Sequence, residues 1–223
     1  MNSAAKTVLE ENRVGLFIVA YNAQNHIGSV IERIPNELKP LFDQIYVIDD
    51  SSTDQTTEVL QGIQMPENCA PLKAFRTPEN LGYGGNQILG YDYALEQGFD
   101  IVVLLHGDGQ YAPEHLPEIL APYKEGADAV FGSRFLKGRP LKGGMPLYKF
   151  SANQFLSGIQ NRLTKNQLSE WHSGYRSYRT SLLARIPFRK NARDFGFDAD
   201  IIIQATEAKA KIVEVPVPTF YGN

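Results

Sequence analysis

The stretch Ile101-Val-Val-Leu-Leu-His-Gly-Asp-Gly-Gln110 passes abruptly from apolar to polar residues. Its first five residues form the continuous apolar run that is typical of a buried parallel strand. The polar part contains an imidazole, a carboxylate and a side-chain amide, on His106, Asp108 and Gln110, and these groups can bind a metal ion. They occupy alternate positions, so an extended backbone would point all three in the same direction.

A second apolar run ends in acidic residues earlier in the chain, at Val47-Ile48-Asp49-Asp50. Carboxylates at strand ends recur in nucleotide-binding sites, although a helix cap or a solvated turn would use the same residues. Open α/β sheets bind ligands outside the carboxyl ends of their strands. The two strand ends therefore predict a site for a divalent cation and an anionic ligand at that edge.

Strand-like and helix-like segments alternate over the first 133 residues, which predicts an α/β fold. The expected architecture is a mostly parallel, doubly wound central sheet with helices on both faces. The expected strands are Val14 to Ala20, Gln44 to Ile48, Leu72 to Phe75, Ile101 to Leu105, Asp128 to Phe131, Tyr175 to Tyr178 and Lys211 to Val217.

The chain has 223 residues, a length that fits one domain. We expect a polar tail over residues 1–13 and one domain over 14–223, divided into a first half (14–133) and a second half (134–223). The chain ends in a loop-like segment, so we expect the natural protein to continue past Asn223. Nothing in the sequence indicates an oligomeric state.

A formal net charge of −3 does not favour nucleic acid as a partner, and the single cysteine, Cys69, fits a reducing compartment. The N-terminus lacks the apolar core of a signal peptide, and no segment approaches the roughly 20 apolar residues of a membrane-spanning helix. We expect a cytoplasmic protein, either soluble or peripheral on the cytoplasmic face of a membrane.

The second half begins with a basic segment, residues 134–149, which contains five lysines and arginines and no acidic residue. Its glycines predict a mobile loop. An amphipathic helix is expected next, with apolar residues at Leu147, Phe150, Phe155, Leu156, Ile159 and Leu163. Such a helix either packs on the sheet or rests on a membrane surface.

Three further features have both a chemical and a structural interpretation. The glycines of Gly82-Tyr-Gly-Gly-Asn86 precede a helix, where they would let the backbone approach an anion. Arg134 follows a strand and could bind a phosphate through its guanidinium fork, or it could be an ordinary exposed arginine. Asp198, at the start of an apolar helix, could be a general base or a helix cap.

Taken in order, these pieces resemble glycosyltransferase family 2, most of all its polyprenyl-phosphate (dolichol-phosphate) mannosyl- and glucosyltransferase branch. Each piece is weak alone, but seven in the same order make a specific match. The matching segments are Val19-Ala-Tyr-Asn22, Val47-Ile-Asp-Asp-Ser-Ser-Thr-Asp54, Asn80-Leu-Gly-Tyr-Gly-Gly-Asn86, His106-Gly-Asp-Gly-Gln-Tyr-Ala-Pro-Glu114, Gly132-Ser-Arg134, Ser173-Gly-Tyr-Arg176 and Ile212-Val-Glu-Val-Pro-Val217.

The resemblance implies a GT-A fold, a GDP- or UDP-sugar donor, and a Mn²⁺ or Mg²⁺ ion between the diphosphate and an Asp-x-Asp motif. It also implies that residues 14–133 are the nucleotide-sugar-binding half of the domain and residues 134–223 the acceptor half. It implies metal-ligand positions at Asp108 and Gln110, with His106 in place of the first acidic residue of the motif, and a phosphate-binding arginine at Arg134. A second departure is Ala23, where the branch has a carboxylate. The positions expected to hold the nucleotide sugar are Ala20, Tyr21, Asp49, Asp50, Asn80 and Gly82.

The implied reaction is an inverting displacement at the anomeric carbon of a hexose, in which a cation and Arg134 stabilise the departing phosphate. A phosphate acceptor is already ionised and needs no base, whereas a hydroxyl acceptor needs one, for which Asp198 is the candidate. The basic segment favours polyprenyl phosphate. Transfer to a saccharide or lipid hydroxyl in cell-surface polysaccharide assembly, and a catalytically weakened domain that only binds sugar nucleotides, remain open. A nucleotidylyltransferase is disfavoured, because no glycine-rich basic loop follows the first strand.

Overall fold

Seven strands form one central sheet in the computed structural model, which describes residues 3–136 and 147–218 except for the side chains of residues 148–150. Each strand is a short run of mainly apolar residues. The strands are β1 (Val14–Ala20), β2 (Gln44–Asp49), β3 (Leu72–Arg76), β4 (Ile101–His106), β5 (Ala129–Ser133), β6 (Arg176–Arg179) and β7 (Ile212–Pro216).

The order of the strands is β3-β2-β1-β4-β6-β5-β7, and only β6 runs antiparallel to its neighbours. The prediction of a mostly parallel sheet is therefore confirmed. In the parallel register Ala20 pairs with Asp49, and Val19 pairs with His106. The carboxyl ends of β1, β2 and β4 thus meet at one edge. Because β6 is antiparallel, the residues that precede it reach the same edge.

Helices cover both faces of the sheet, as predicted for a doubly wound fold. One apolar core lies under α1, α2, α3 and α5, and a second lies under α4, α7 and α8. The helices are α1 (Ser3–Glu11), α2 (Ile27–Glu32), α3 (Thr56–Gly62), α4 (Gly82–Glu96), α5 (Leu116–Leu120), α6 (Leu147–Thr164), α7 (Thr180–Leu183) and α8 (Phe197–Glu207). Alternate residues of β4 enter the two cores, since successive side chains of a strand point to opposite faces.

The N-terminal segment departs from the expected polar tail. Residues 3–11 form α1, and Ala5, Val8 and Leu9 are buried in the first core. These three residues have helical spacing, so the helix buries one apolar stripe while its polar residues face outward. Three apolar residues among many polar ones are too few to stand out in the sequence.

The basic segment is only partly covered by the described residues, because residues 137–146 lie outside them. The expected loop is too long at its C-terminal end, since Leu147–Lys149 already belong to α6. Along α6 the large apolar residues Phe155, Leu156, Ile159 and Leu163 are exposed, so this stripe does not pack on the sheet. Within the described ranges, no helix has both the length and the apolar character needed to cross a bilayer.

The packing of α4 on β1 makes a prediction about stability. A Cβ atom on Gly90 would stand 2.0 Å from Cε1 of Phe17, whose side chain is fully buried. We expect Gly90→Ala to lower the free energy of unfolding by about 1–3 kcal/mol, because the ring and the helix must move apart. Chemical denaturation measures this change.

The matched control is Gly28→Ala in α2, where a Cβ meets nothing within 4 Å. It should leave stability unchanged or raise it by roughly 0.5–1 kcal/mol, because alanine has the higher helix propensity. Equal effects of the two substitutions would contradict the close packing described for Gly90.

Candidate active site

A cavity of about 650 Å³ lies at the edge of the sheet where β1, β2 and β4 end. Ten of the eleven predicted site residues line it, although they come from six separate parts of the chain. These ten are Ala20, Tyr21, Asp50, Asn80, Gly82, His106, Asp108, Gln110, Arg134 and Asp198. The structure therefore brings together almost all the side chains that the sequence motifs single out.

Asp49 is the predicted residue that lies outside this cavity. Its side chain is fully buried and turns away into the β2–α3 connection. Oδ1 accepts hydrogen bonds from the backbone N–H and the hydroxyl of Ser52, and Oδ2 accepts one from the hydroxyl of Thr57. Arg76 lies 3.9 Å from Oδ2. Through these contacts Asp49 stabilises the turn that follows β2.

Asp50, the next residue, faces the cavity. Its Oδ1 accepts hydrogen bonds from the backbone N–H of Leu81 at 2.8 Å and from the hydroxyl of Thr77 at 3.2 Å. Neighbouring residues at a strand end point to opposite sides, so one aspartate supports the turn and the other lines the cavity. The side-chain amide of Asn80 donates to the backbone carbonyl of Asp50, which joins the segment before α4 to β2.

The glycines at the start of α4 serve a different purpose from the one expected. The backbone N–H of Gly84 donates to the carbonyl of Arg193 at 2.8 Å, so this amide is not free to meet an anion. A Cβ on Gly84 would come within 2.3 Å of the carbonyl oxygen of Ala192. The glycines admit the 192–195 loop close to the helix. Gly82, with a φ of +78°, still lines the cavity.

The His106-Gly-Asp-Gly-Gln110 segment is not extended throughout. Strand β4 ends at His106, and Gly109 has a φ of +76°, so the chain turns. The prediction that the three side chains point in one direction is wrong for this reason. Asp108 and Gln110 are exposed, and Oδ1 of Asp108 accepts a hydrogen bond from the backbone N–H of Gln110.

His106 turns toward the protein instead. Its Nε2 lies 3.4 Å from the hydroxyl of Tyr83, and its ring contacts the ring of Tyr111 edge-on. Burial lowers the pKa of the imidazole, and the nearby carboxylates of Asp108 and Asp198 only partly oppose this effect. The ring is therefore uncharged near neutral pH and can act as an electron-pair donor.

The donor set suits a hard divalent cation that also binds its substrate. Within residues 3–136 and 147–218, no three or more His, Cys, Asp and Glu side chains come together as a preformed metal centre. Asp108 supplies one exposed carboxylate and Gln110 an amide oxygen. Mg²⁺ and similar ions are commonly held by one or two carboxylates together with substrate phosphates. The residues fit an ion that binds with a diphosphate.

Arg134 reaches the cavity from the end of β5, but it is also tied to a buried acid. Its backbone N–H and its guanidinium both donate to the carboxylate of Glu170, and the guanidinium also donates to the carbonyl of His172. The Glu170 side chain is completely buried. Glu170 thus holds the guanidinium at a set position beside the cavity.

Asp198 lines the cavity from the start of α8 and is held by three side chains. Tyr83 donates to Oδ2 at 3.1 Å, Gln87 donates to Oδ1 at 3.4 Å, and the guanidinium of Arg176 lies 3.6 Å from Oδ2. Arg176 is 1% exposed. Burial alone would lower the pKa of this guanidinium, but Asp198, Tyr178 and Tyr83 together more than reverse that effect. Arg176 therefore stays charged.

Several cavity residues were not predicted from the sequence. Tyr83 and Gly174 lie inside motifs that were noticed for other reasons, whereas Phe195 lies in no motif. The ring of Phe195 is 80% exposed and stacks on Tyr83 with ring centroids 5.0 Å apart. An exposed aromatic ring at a cavity rim is recognised only in three dimensions, since it carries no periodicity in the sequence.

A parallel sheet with an acidic, cation-suited cavity at its carboxyl edge defines an α/β protein that binds an anionic ligand such as a nucleotide. Comparison with known families gives the particular class. The model of the family "Glycosyl transferase family 2" matches residues 16–187, so the chain belongs to that family.

Two curated relatives match along most of their length. The UDP-N-acetylglucosamine–dolichyl-phosphate N-acetylglucosaminyltransferase of Methanococcus voltae is 29% identical over 96% of this chain and 88% of its own. The polyprenol monophosphomannose synthase of Mycolicibacterium smegmatis is 25% identical over 95% of this chain and 78% of its own.

Among solved structures, glucosyl-3-phosphoglycerate synthase from Mycobacterium tuberculosis superposes with a TM-score of 0.68 over 97% of this chain and 72% of its own, at 19% identity. That structure contains Mn²⁺, uridine diphosphate and phosphoglyceric acid. At this identity the likeness concerns the fold, and it confirms the GT-A architecture that the sequence resemblance implied.

The opposite surroundings of Asp49 and Asp50 lead to opposite predictions. Asp49→Asn should lower the free energy of unfolding by about 1–3 kcal/mol, because an amide cannot accept all the buried hydrogen bonds of the carboxylate. Asp50→Asn keeps an acceptor for Leu81 but loses the charged acceptor expected to take hydrogen bonds from the base or ribose of the nucleotide, so it should weaken nucleotide binding by about tenfold. Chemical denaturation and calorimetry with GDP and UDP measure the two effects. An unchanged nucleotide affinity in Asp50→Asn would contradict the assignment.

Proposed function

We propose that this family 2 glycosyltransferase transfers a hexose from a GDP- or UDP-sugar to a polyprenyl phosphate, with inversion at the anomeric carbon. The observation that carries the proposal is the convergence of Asp50, Asp108 and Arg134 on one cavity at the carboxyl edge of the sheet. Both curated relatives are named for transfer to, or synthesis of, a polyprenyl-phosphate-linked sugar, which supports the choice of acceptor.

The divalent cation is part of the proposal. Asp108 and Gln110 are the residues that would hold Mn²⁺ or Mg²⁺ next to the diphosphate, with His106 as a third candidate. When bound, the cation stabilises negative charge on the departing phosphate. Arg134 would stabilise the same negative charge. Its guanidinium is held beside the cavity by Glu170.

The choice of a phosphate acceptor depends on which acidic and basic residues are available. A hydroxyl acceptor would need a base; Asp194 and Asp198 are the carboxylates of the acceptor half that line the cavity, and Asp198 is the candidate. Its oxygens already accept hydrogen bonds from Tyr83 and Gln87 and lie beside Arg176. A phosphate acceptor needs no base and is attracted by cations. Seven lysines and arginines, with no acidic residue, lie between Arg134 and Ser169.

The test of this function compares acceptors that differ only in the phosphate. We expect purified protein with Mn²⁺ to transfer sugar from one of GDP-mannose, UDP-glucose or UDP-N-acetylglucosamine to polyprenyl phosphate, and not to the matching polyprenol. Extraction of the labelled lipid product measures transfer. EDTA should abolish it, and Asp108→Asn should lower kcat by roughly 10²-fold or more, because the cation that would stabilise the leaving phosphate loses its charged ligand.

The control is Glu67→Gln, an exposed acid in the connection before β3, at the opposite edge of the sheet. It makes the same change in net charge and should leave transfer unchanged. Equal transfer to polyprenol and to polyprenyl phosphate would instead favour a hydroxyl acceptor and contradict the proposed substrate.

Residence at a membrane surface is also proposed, with α6 as the contact. Phe155 and Leu163 are 69% and 77% exposed, and Leu156 and Ile159 continue the same stripe. No acidic residue occurs in α6, and Arg162 near its end is exposed. A basic helix with an apolar face fits the interface of an anionic bilayer. Lys149 and Arg162 are the charged residues of α6, so the helix has a net charge of +2 in a protein of net charge −3 and would be attracted to such a surface.

We therefore expect the protein to sediment with vesicles of phosphatidylglycerol and phosphatidylcholine, and much less with pure phosphatidylcholine. The double variant Phe155→Ser, Leu163→Ser should reduce binding, because two exposed apolar side chains no longer enter the interface. The control is Leu89→Ser, since Leu89 is 40% exposed on α4. Unchanged vesicle binding in the double variant, or a dimer that it dissociates in light scattering, would contradict a membrane role for α6.

A further inference from the structure

Four polar side chains form a continuous path from the core to the cavity. Arg176 lies 3.6 Å from Oδ2 of Asp198, Tyr83 donates to the same oxygen at 3.1 Å, and the Tyr83 hydroxyl lies 3.4 Å from Nε2 of His106. The four residues belong to four different secondary structure elements: β6, α8, α4 and the end of β4. The sequence motifs that contain these residues do not indicate that their side chains are in contact.

Arg176 anchors the path, because its donors are satisfied in fixed directions. Its guanidinium donates to the carbonyls of Ser173, Trp171 and Asp198 at 2.6, 2.8 and 2.9 Å. The ring of Phe131 lies 5.2 Å from the guanidinium carbon. A rigid, always charged group of this kind holds the Asp198 carboxylate in place.

The direction of each hydrogen bond follows from the number of protons available. An ionised carboxylate only accepts, so the single proton of the Tyr83 hydroxyl points to Asp198. Burial, reinforced by the charge of Asp198, raises the pKa of Tyr83, so the hydroxyl keeps that proton. Toward His106 the hydroxyl oxygen can then only accept. Nε2 of His106 must therefore carry the ring proton.

Gly174 supports the same arrangement of the ring. The Gly174 backbone raises the pKa of the imidazole, as an acceptor of a ring proton does, and a Cβ at this position would stand 2.4 Å from Nε2. Only a residue without a side chain lets Nε2 come this close to the chain before β6. Both neighbours of Nε2 thus favour a protonated nitrogen, and a neutral imidazole then carries its free electron pair on Nδ1.

We propose that Asp198 is a positioning residue rather than a general base: acting through Tyr83, it holds His106 as the Nε2–H tautomer and leaves Nδ1 as an electron-pair donor for the cation that accompanies the sugar nucleotide. The inference deepens the proposed function and rests on it only for the identity of that cation. It gives His106 a role in the place of the first acidic residue of the Asp-x-Asp motif.

Nuclear magnetic resonance of the protein without donor or metal tests the tautomer directly. Long-range ¹H–¹⁵N correlations distinguish Nε2–H from Nδ1–H, and His106→Asn assigns the signals among the four histidines. We expect the Nε2–H pattern for His106 at pH 8. An Nδ1–H pattern would overturn the proposal, and this result does not depend on whether the proposed substrates are correct.

Tyr83→Phe removes the linking hydroxyl and nothing else, so it should shift His106 toward a mixture of tautomers. Without its supporting partner, the imidazole should also bind Mn²⁺ in the presence of UDP or GDP about tenfold more weakly by calorimetry. The matched control is Tyr93→Phe, which removes a hydroxyl from the same helix that bonds to Gln44 instead. An unchanged His106 spectrum in Tyr83→Phe would overturn the proposal.

A double-mutant cycle separates positioning from base catalysis. If Asp198 acts through Tyr83, Asp198→Asn and the double variant should weaken Mn²⁺-dependent nucleotide binding no more than Tyr83→Phe does, because the effects share one path. Additive losses, or loss of the acidic limb of the kcat–pH profile in Asp198→Asn alone, would indicate a base and overturn the proposal. If Asp198→Asn does not fold, the wild-type and Tyr83→Phe spectra still decide. Absence of any nucleotide binding in the wild type would count against the proposed function instead.

Discussion

The buried ion pair between Arg176 and Asp198 is the contact on which the cavity depends. One guanidinium joins the start of β6, the 171–173 segment and the first turn of α8, which are distant in sequence. Burying such a pair gives little net stability, but removing one partner leaves an uncompensated charge, which typically costs about 3–5 kcal/mol. The pair therefore specifies one arrangement of these segments more than it strengthens the fold. The antiparallel direction of β6 is what brings the arginine to this edge.

Much of the architecture was predictable from the sequence, because an apolar run that ends in acidic residues indicates both a strand and the position of its carboxyl end. Val14–Ala20 and Ile101–Leu105 were placed almost to the residue, and ten of the eleven predicted site residues line one cavity. Parallel strands with a common direction must collect their carboxyl ends at one edge. Motifs at those ends are therefore brought together by topology alone, before any side-chain contact is considered.

The rest depended on contacts that a linear pattern does not record. Asp49 and Asp50 have the same chemistry and adjacent positions, yet the alternation of the strand sends one into the turn and one into the cavity. The glycines at the start of α4 suggested an anion site, whereas the N–H of Gly84 already donates a hydrogen bond to the carbonyl of Arg193. The link from Asp198 to His106 joins residues 92 positions apart through a tyrosine in a third segment, and only the packed structure reveals it.

The occupied start of α4 has a consequence for how a diphosphate is released. A helix N-terminus whose backbone N–H groups bind an anion attracts it permanently. Here the N–H of Gly84 at the start of α4 already donates to a carbonyl of the protein. Under the proposed function, the negative charge of the product would be balanced by an exchangeable ion, by Arg134, which is shared with Glu170, and by Arg193, which also lines the cavity. Departure of the ion removes most of the attraction at once. The strength of product retention is then set by the ionic composition of the surroundings rather than by the backbone.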